Sequence, residues 1–167
     1  MRTRATTIKI MALRNLSKFG FFVALLVLVS CDTPKVYDEY QAINADGWLA
    51  TESVDFEVEM EAQEGSVFNY LIGLRNNNDY LYSNIFFFVD IENPAGEHQQ
   101  DTLQYLLAEP NGKWIGSGVG AIKHNLFKFK QERSMDAGIY KVKLSQGMRD
   151  ELLLGIEDVG FRIERSN

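Results

Sequence analysis

Beyond residue 46 the chain alternates apolar and polar positions with a period of two, the pattern of strands with one buried face and one wet face. Val54, Phe56, Val58 and Met60 are separated by Asp55, Glu57 and Glu59, and Phe68, Tyr70, Ile72 and Leu74 repeat the spacing. Ile85 to Ile91 is apolar on both faces as far as Asp90, which predicts a central strand covered on both sides. Leu103, Tyr105 and Leu107 alternate again, and Pro110-Asn111-Gly112 ends that run as a turn. Glycines 116, 118 and 120 break any regular element before strand character returns from Ile122 to Phe129. Tyr140, Val142 and Leu144, between Lys141, Lys143 and Ser145, predict an edge or surface strand, and Val159 to Glu164 a last one. Met148 to Leu154, stopped by Gly155, is the one segment that reads as a short helix. Seven or eight short strands with almost no helix predict an all-β fold. The expectation is an antiparallel β-sandwich, jelly-roll or Ig-like, with one short helix near the C-terminus.

The first thirty residues are patterned differently. Arg2, Arg4, Lys9, Arg14 and Lys18 are uninterrupted by any acid, and an eleven-residue apolar run, Phe19 to Val29, follows. Basic and then apolar is the order of a secretory signal. As a helix the run spans ~16 Å against ~30 Å of bilayer hydrocarbon, too short for a stable anchor. Leu28-Val29-Ser30-Cys31 places an aliphatic residue three positions before the single cysteine and a small residue directly before it, in the manner of a bacterial lipobox. Cleavage there leaves a sulfur that takes a diacylglycerol. Several acyl chains of the palmitate kind on one residue hold a protein at a bilayer, whereas one chain, at ~0.8 kcal/mol per buried CH₂, holds it marginally. The competing assignment, a buried core thiol, fits those flanks poorly. The expected organisation is a signal peptide over 1–30 with its own cleaved helix, the lipidated Cys31 and a tether over 31–46, and the sandwich over 47–167. Extended, such a tether holds the body ~50 Å from the lipid, although Val36, Tyr37 and Tyr40 are able to dock it as an edge strand.

Charge changes the picture in two ways. Five of the 17 basic residues precede Cys31, so the mature chain carries twelve against 23 acids, a formal charge of −11, which argues against a nucleic-acid partner. The charge is also segregated: residues 32–109 hold 16 acids with only Lys35 and Arg75, whereas 110–149 hold eight basic residues with only Glu132 and Asp136. Either Lys123, Lys128, Lys130, Lys141 and Lys143 form a basic face for an acidic partner, or acidic and basic strands lie side by side and neutralise one another. The second reading is the simpler.

Catalytic chemistry finds little support. His98 and His124 are the only histidines, too few for a zinc site with one cysteine already committed, and no Gly-x-Ser-x-Gly elbow is present. Both histidines read as surface residues. Asp101 stands out between a polar loop and a strand, where capping backbone N–H groups is the ordinary role. Asn76-Asn77-Asn78-Asp79 offers oxygens to Ca²⁺, but a hairpin loop explains it more economically. Trp48, Trp114 and Tyr82, with Asp101, are the candidate ligand or partner surface, because exposed aromatics stack on sugar rings. Trp114 in its glycine-rich loop reads equally as a plug at the sandwich end.

Several segments together resemble a known family: Arg75-Asn76, Asp79-Tyr80, Tyr82-Ser83-Asn84, Asp101-Thr102-Leu103, Gly112-Lys113-Trp114-Ile115-Gly116-Ser117-Gly118, Gly138-Ile139-Tyr140, Gln146-Gly147-Met148-Arg149 and Gly155 to Gly160. They look like the gliding-motility lipoprotein family GldH of the Bacteroidota, from the lipobox through almost the whole mature chain. The resemblance implies a non-enzymatic cell-envelope lipoprotein that supports gliding and is linked to type IX secretion. No metal or cofactor is expected beyond the covalent lipid on Cys31. The expected partners are the membrane through that lipid and other envelope, gliding or secretion proteins, with a glycan as the alternative; the expected address is the outer membrane.

Overall fold

The computed structural model describes residues 35–166. The expected signal helix and Cys31 lie outside the described residues. Ten strands follow in order: β1 (Lys35–Ala42), β2 (Trp48–Leu49), β3 (Ser53–Met60), β4 (Gln63–Asn76), β5 (Asn84–Glu92), β6 (His98–Leu106), β7 (Lys123–Met135), β8 (Gly138–Gln146), β9 (Leu152–Leu153) and β10 (Ile156–Arg165). Two four-stranded antiparallel sheets, β1-β10-β4-β7 and β3-β8-β5-β6, face each other, and β2 and β9 form a separate ribbon. Every connection between the eight long strands crosses from one sheet to the other except the β5–β6 hairpin, which is the double Greek-key order of a jelly roll rather than an Ig sandwich.

The alternation predicted for β3, β4 and β8 places Phe56, Val58, Phe68, Ile72, Leu74, Val142 and Leu144 in the core. Phe161 of β10 is its hub, with the rings of Tyr37, Phe56, Tyr70 and Phe129 centred 6.0–6.4 Å away. At one open side the sheets are closed by Tyr105 of β6 stacked on Phe127 of β7 at 4.2 Å. At the other, Gln41 of β1 donates to the backbone of Asp55 in β3.

Four expectations are corrected. Residues 148–154 form no helix: Leu153 is buried between exposed Leu152 and Leu154, a period of two, and Trp48–Leu49 offers a strand to pair with. A seven-residue helix would scarcely offset its own nucleation. Tyr140 to Leu144 belong to an internal strand, since β8 lies between β3 and β5. β5 is internal too, yet one of its faces is wet, with Phe88 52% exposed. Finally, the tether gives way to its docked alternative: Lys35–Ala42 is β1, an edge strand of the body. Asp38 takes a bidentate pair of hydrogen bonds from Arg162, both 2.9 Å, and Tyr40 lies flat over Gly160 and Gly73, where any Cβ would collide with its ring.

The segregated charge is resolved by register. Asp55, Lys143, Asp90 and Gln100 form one row across the outer face of the second sheet, and Glu57, Lys141, Glu92 and His98 form the next. Lys141 donates to Glu92. The acidic and basic strands do lie side by side, so Lys141 and Lys143 are each flanked by two acids and form no free basic face. Lys128 and Lys130 sit on the other sheet, and Lys123 turns back onto the carbonyls of Gly118 and Gly120. No single basic face forms from these five.

Candidate functional site

The two ends of the sandwich are unlike. One carries only short turns, 61–62, 93–97 and 136–137; the other carries the four long connections, 43–52, 77–83, 107–122 and 147–155. Binding groups concentrate on long loops held by a rigid scaffold. β1 enters at the short-turn end, because Lys35 pairs with Glu164, and reaches the long-loop end at Ala42 beside Asp158.

The long-loop end is built outward from buried polar pairs. Arg75, at the end of β4, forms an ion pair with buried Asp158 across the sheet and also lies over the Tyr40 ring. The hydrogen bond from Arg75 to Asp158 holds the guanidinium pKa above its usual value. Asn76 is fully buried and accepts from Asn125 at 2.9 Å. Asn77 folds its loop over by accepting the amide of Asp79 at 2.7 Å, and its own side-chain amide donates to Glu157. These asparagines are therefore engaged in structure, and the loop is a crossing between sheets rather than a hairpin.

Two tyrosines then pin the next stretch. Tyr80 is buried and donates to the carbonyl of Asn84 at 2.7 Å; burial raises its phenol pKa. Tyr82 donates to Asp150 in the facing loop, and that hydrogen bond raises its pKa. Between these two anchors Leu81 projects into solvent, 82% exposed. Gly155, at φ 78°, lies so close beneath the Tyr80 backbone that no side chain fits there. Beside Leu81 opens a concavity of about 720 Å³.

The predicted site residues do not converge. Trp48 is 1% exposed, packed on Phe87 with its indole N–H donating to Glu52; this corrects its assignment to a ligand surface, because its position in β2 turns the ring into the core. Trp114 is half-buried against Tyr80, 6.5 Å between rings, as a plug of the sandwich end. Tyr82 shares this end with it. Asp101 sits elsewhere, inside β6 and paired with Val89, accepting from Gln99 at 2.9 Å, so it does not cap a strand entry. His98 is a surface residue whose Nδ1 lies 2.8 Å from Asp90, and His124 is exposed on β7. The residues missed were Leu81, Leu154 and Glu157. A signal existed: most of the resembling segments, from Arg75-Asn76 to Gly155–Gly160, fall on or beside these four loops.

A match to the GldH lipoprotein family spans residues 35–163, from the first residue of β1 into β10. The chain belongs to the GldH lipoprotein family. Its relatives include a gliding motility lipoprotein GldH homolog of Christiangramia forsetii, 40% identical over 90% of this chain and 96% of that one. The gliding motility lipoprotein GldH of Flavobacterium johnsoniae is 36% identical over 87% and 94%. Among solved structures, a family 35 carbohydrate binding module from Clostridium thermocellum covers 78% of this chain and 95% of its own, at 8% identity and a TM-score of 0.38. The GldH match thus takes in nearly the whole jelly roll, and all four long loops lie within it.

Proposed function

We propose that this GldH-family protein is a lipid-anchored envelope protein that supports gliding motility and type IX secretion by binding other proteins, without catalysis, from the outer membrane. The observation that carries the reading is a relative named as a GldH gliding motility lipoprotein, matched along nearly its whole length at 36% identity. The lipobox before Cys31 supplies the anchor. Only three residues lie between Cys31 and Lys35 at the start of β1, a reach of at most ~14 Å rather than ~50 Å. The short-turn end of the body is therefore held near the bilayer surface and the long loops stand farther away.

The test is Cys31→Ser in the native host. Processing at the same bond is expected to stop, the protein to leave the membrane fraction on carbonate washing, and colony spreading and export of secreted substrates to fall to the level of a deletion strain. Retention with normal spreading overturns the reading. A glycan-binding role has one supporting observation, the exposed Phe88 beside Gln100, Thr102 and Lys143 in a concavity of about 480 Å³. Peptidoglycan sedimentation that is unchanged by Phe88→Ala removes it.

A further inference from the structure

Leu81 is displayed at 82% exposure by a loop whose tyrosine neighbours are both fastened, Tyr80 to Asn84 and Tyr82 to Asp150. An apolar side chain that is free to withdraw from water does so. Hydrogen bonds from Tyr80 and Tyr82 pin the loop on either side of this one. The adjoining concavity of about 720 Å³ includes Ile43, Leu81, Leu154 and Ile156 among its apolar lining. Its frame is fixed by backbone hydrogen bonds, from Ile43 to Glu157 and from Asn77 to Gly155, both 2.9 Å. The charged residues lining it are Asp79 and Glu157, both acidic, and Asp46 and Glu151 stand exposed on the flanking loops. Arg75, at the end of β4, is already engaged by Asp158.

Exposed leucines beside two carboxylates, Asp79 and Glu157, select for the complementary chemistry. We infer that the long-loop end docks a segment of a partner protein whose apolar side chains are flanked by lysine or arginine. Apolar burial supplies the affinity, and the carboxylates select against acidic partners and steer the basic one. The position is apt, since β1 spans about 25 Å between the lipid-proximal end and this groove, leaving it clear of the anchoring bilayer. The inference rests on the protein-binding role proposed above and gives that partner its chemistry.

The test uses the mature lipoprotein in phosphatidylcholine nanodiscs and two fluorescent peptides of equal length, one of leucine and lysine, one of leucine and glutamate. Fluorescence anisotropy is expected to show saturable binding of the leucine–lysine peptide at least about tenfold tighter than the other. The Leu81→Ser, Leu154→Ser double variant is expected to weaken it about tenfold, and Asp79→Asn with Glu157→Gln to flatten its salt dependence. Leu106→Ser, on the outer face of β6 at 61% exposure, is expected to leave it unchanged. Equal binding of both peptides, or an equal loss in the Leu106→Ser control, overturns the inference. In the host, a photo-crosslinking residue at position 81 is expected to capture a peptide of basic and apolar sequence. Capture of lipid, glycan, a second copy of this chain or an acidic peptide counts against it. If these tests fail while Cys31→Ser still abolishes spreading, the docking chemistry falls and the anchored role stands.

Discussion

Alanine at Gly160 places a methyl group 2.7 Å from ring atoms of Tyr40, which covers that glycine and Gly73 from β1. Contact that close forces the ring to lift. Tyr40 is 39% exposed, so of the ~200 Å² that a tyrosine presents about 120 Å² is hidden. At ~25 cal/mol per Å² that burial contributes ~3 kcal/mol, an upper value because the unfolded chain hides some of it already. Alanine recovers ~0.5 kcal/mol by restricting the unfolded backbone. Gly160→Ala is therefore expected to destabilise by about 2 kcal/mol, whereas the same change in a Tyr40→Ala background, where the space is free, is expected to stabilise by about 0.5 kcal/mol. Urea unfolding followed by tryptophan emission, with Trp48 buried as reporter, measures all four corners of the cycle. The reasoning is refuted if the two substitutions add within ~0.5 kcal/mol. Amide exchange should localise the damage, with β1 losing protection before β4.

Other changes test other parts of the fold. Burial raises the Asp38 pKa, but hydrogen bonds from Arg162 and Lys35 outweigh it and hold the carboxyl below its ordinary 3.8. Its stabilisation is thus present above that value and is lost as pH falls through the folded one. Asp38→Asn is expected to cost about 1.5–3 kcal/mol at pH 7, with the difference from wild type closing under acid in pH-dependent urea melts. Lys143→Glu sets a like charge between Asp55 and Asp90 and should cost about 0.5–2 kcal/mol, a loss that shrinks in high salt; no loss would revive the idea of a free basic face. Gly155→Ala drives a side chain into the Tyr80 backbone at a positive φ, for an expected 2–4 kcal/mol and broadened amide spectra confined to the long loops. Trp48→Ala should cost about 3–5 kcal/mol by thermal unfolding while leaving any glycan retention untouched.

The strands and their inner faces were legible because a period of two needs no knowledge of what lies opposite. Phe56, Phe68, Ile72 and Leu144 announce themselves in that way. The charged runs also carried their own solution, since Asp55-Phe56-Glu57 and Lys141-Val142-Lys143 are complementary as written. What stayed hidden depends on partners distant in the chain. β1 shows little periodicity because its outward ring, Tyr40, packs on two glycines, Gly73 and Gly160, that make room for it, with Arg75 over the ring. Trp48 looked available because only the two-residue ribbon with Leu152–Leu153, itself mistaken for a helix, turns it inward. Jelly-roll and Ig order differ in which strands are neighbours, and alternation along a strand is silent on that. At the long-loop end Tyr82 and Trp114 are legible as candidates but Leu81 is not, because a leucine in a polar stretch is unremarkable until Tyr80 and Tyr82 are seen fastened on either side.

The direction in which β1 runs has a mechanical consequence. In the anchored arrangement proposed above, its first residue is the end toward the lipid and its last lies among the long loops, so tension between a docked partner and the bilayer would act along the strand axis. Antiparallel hydrogen bonds lie perpendicular to that axis, and the β1–β10 ladder is strained in shear, with its rungs sharing the load together instead of being peeled one by one. A protein joined to its anchor at the other end of this strand would unzip under a far smaller pull.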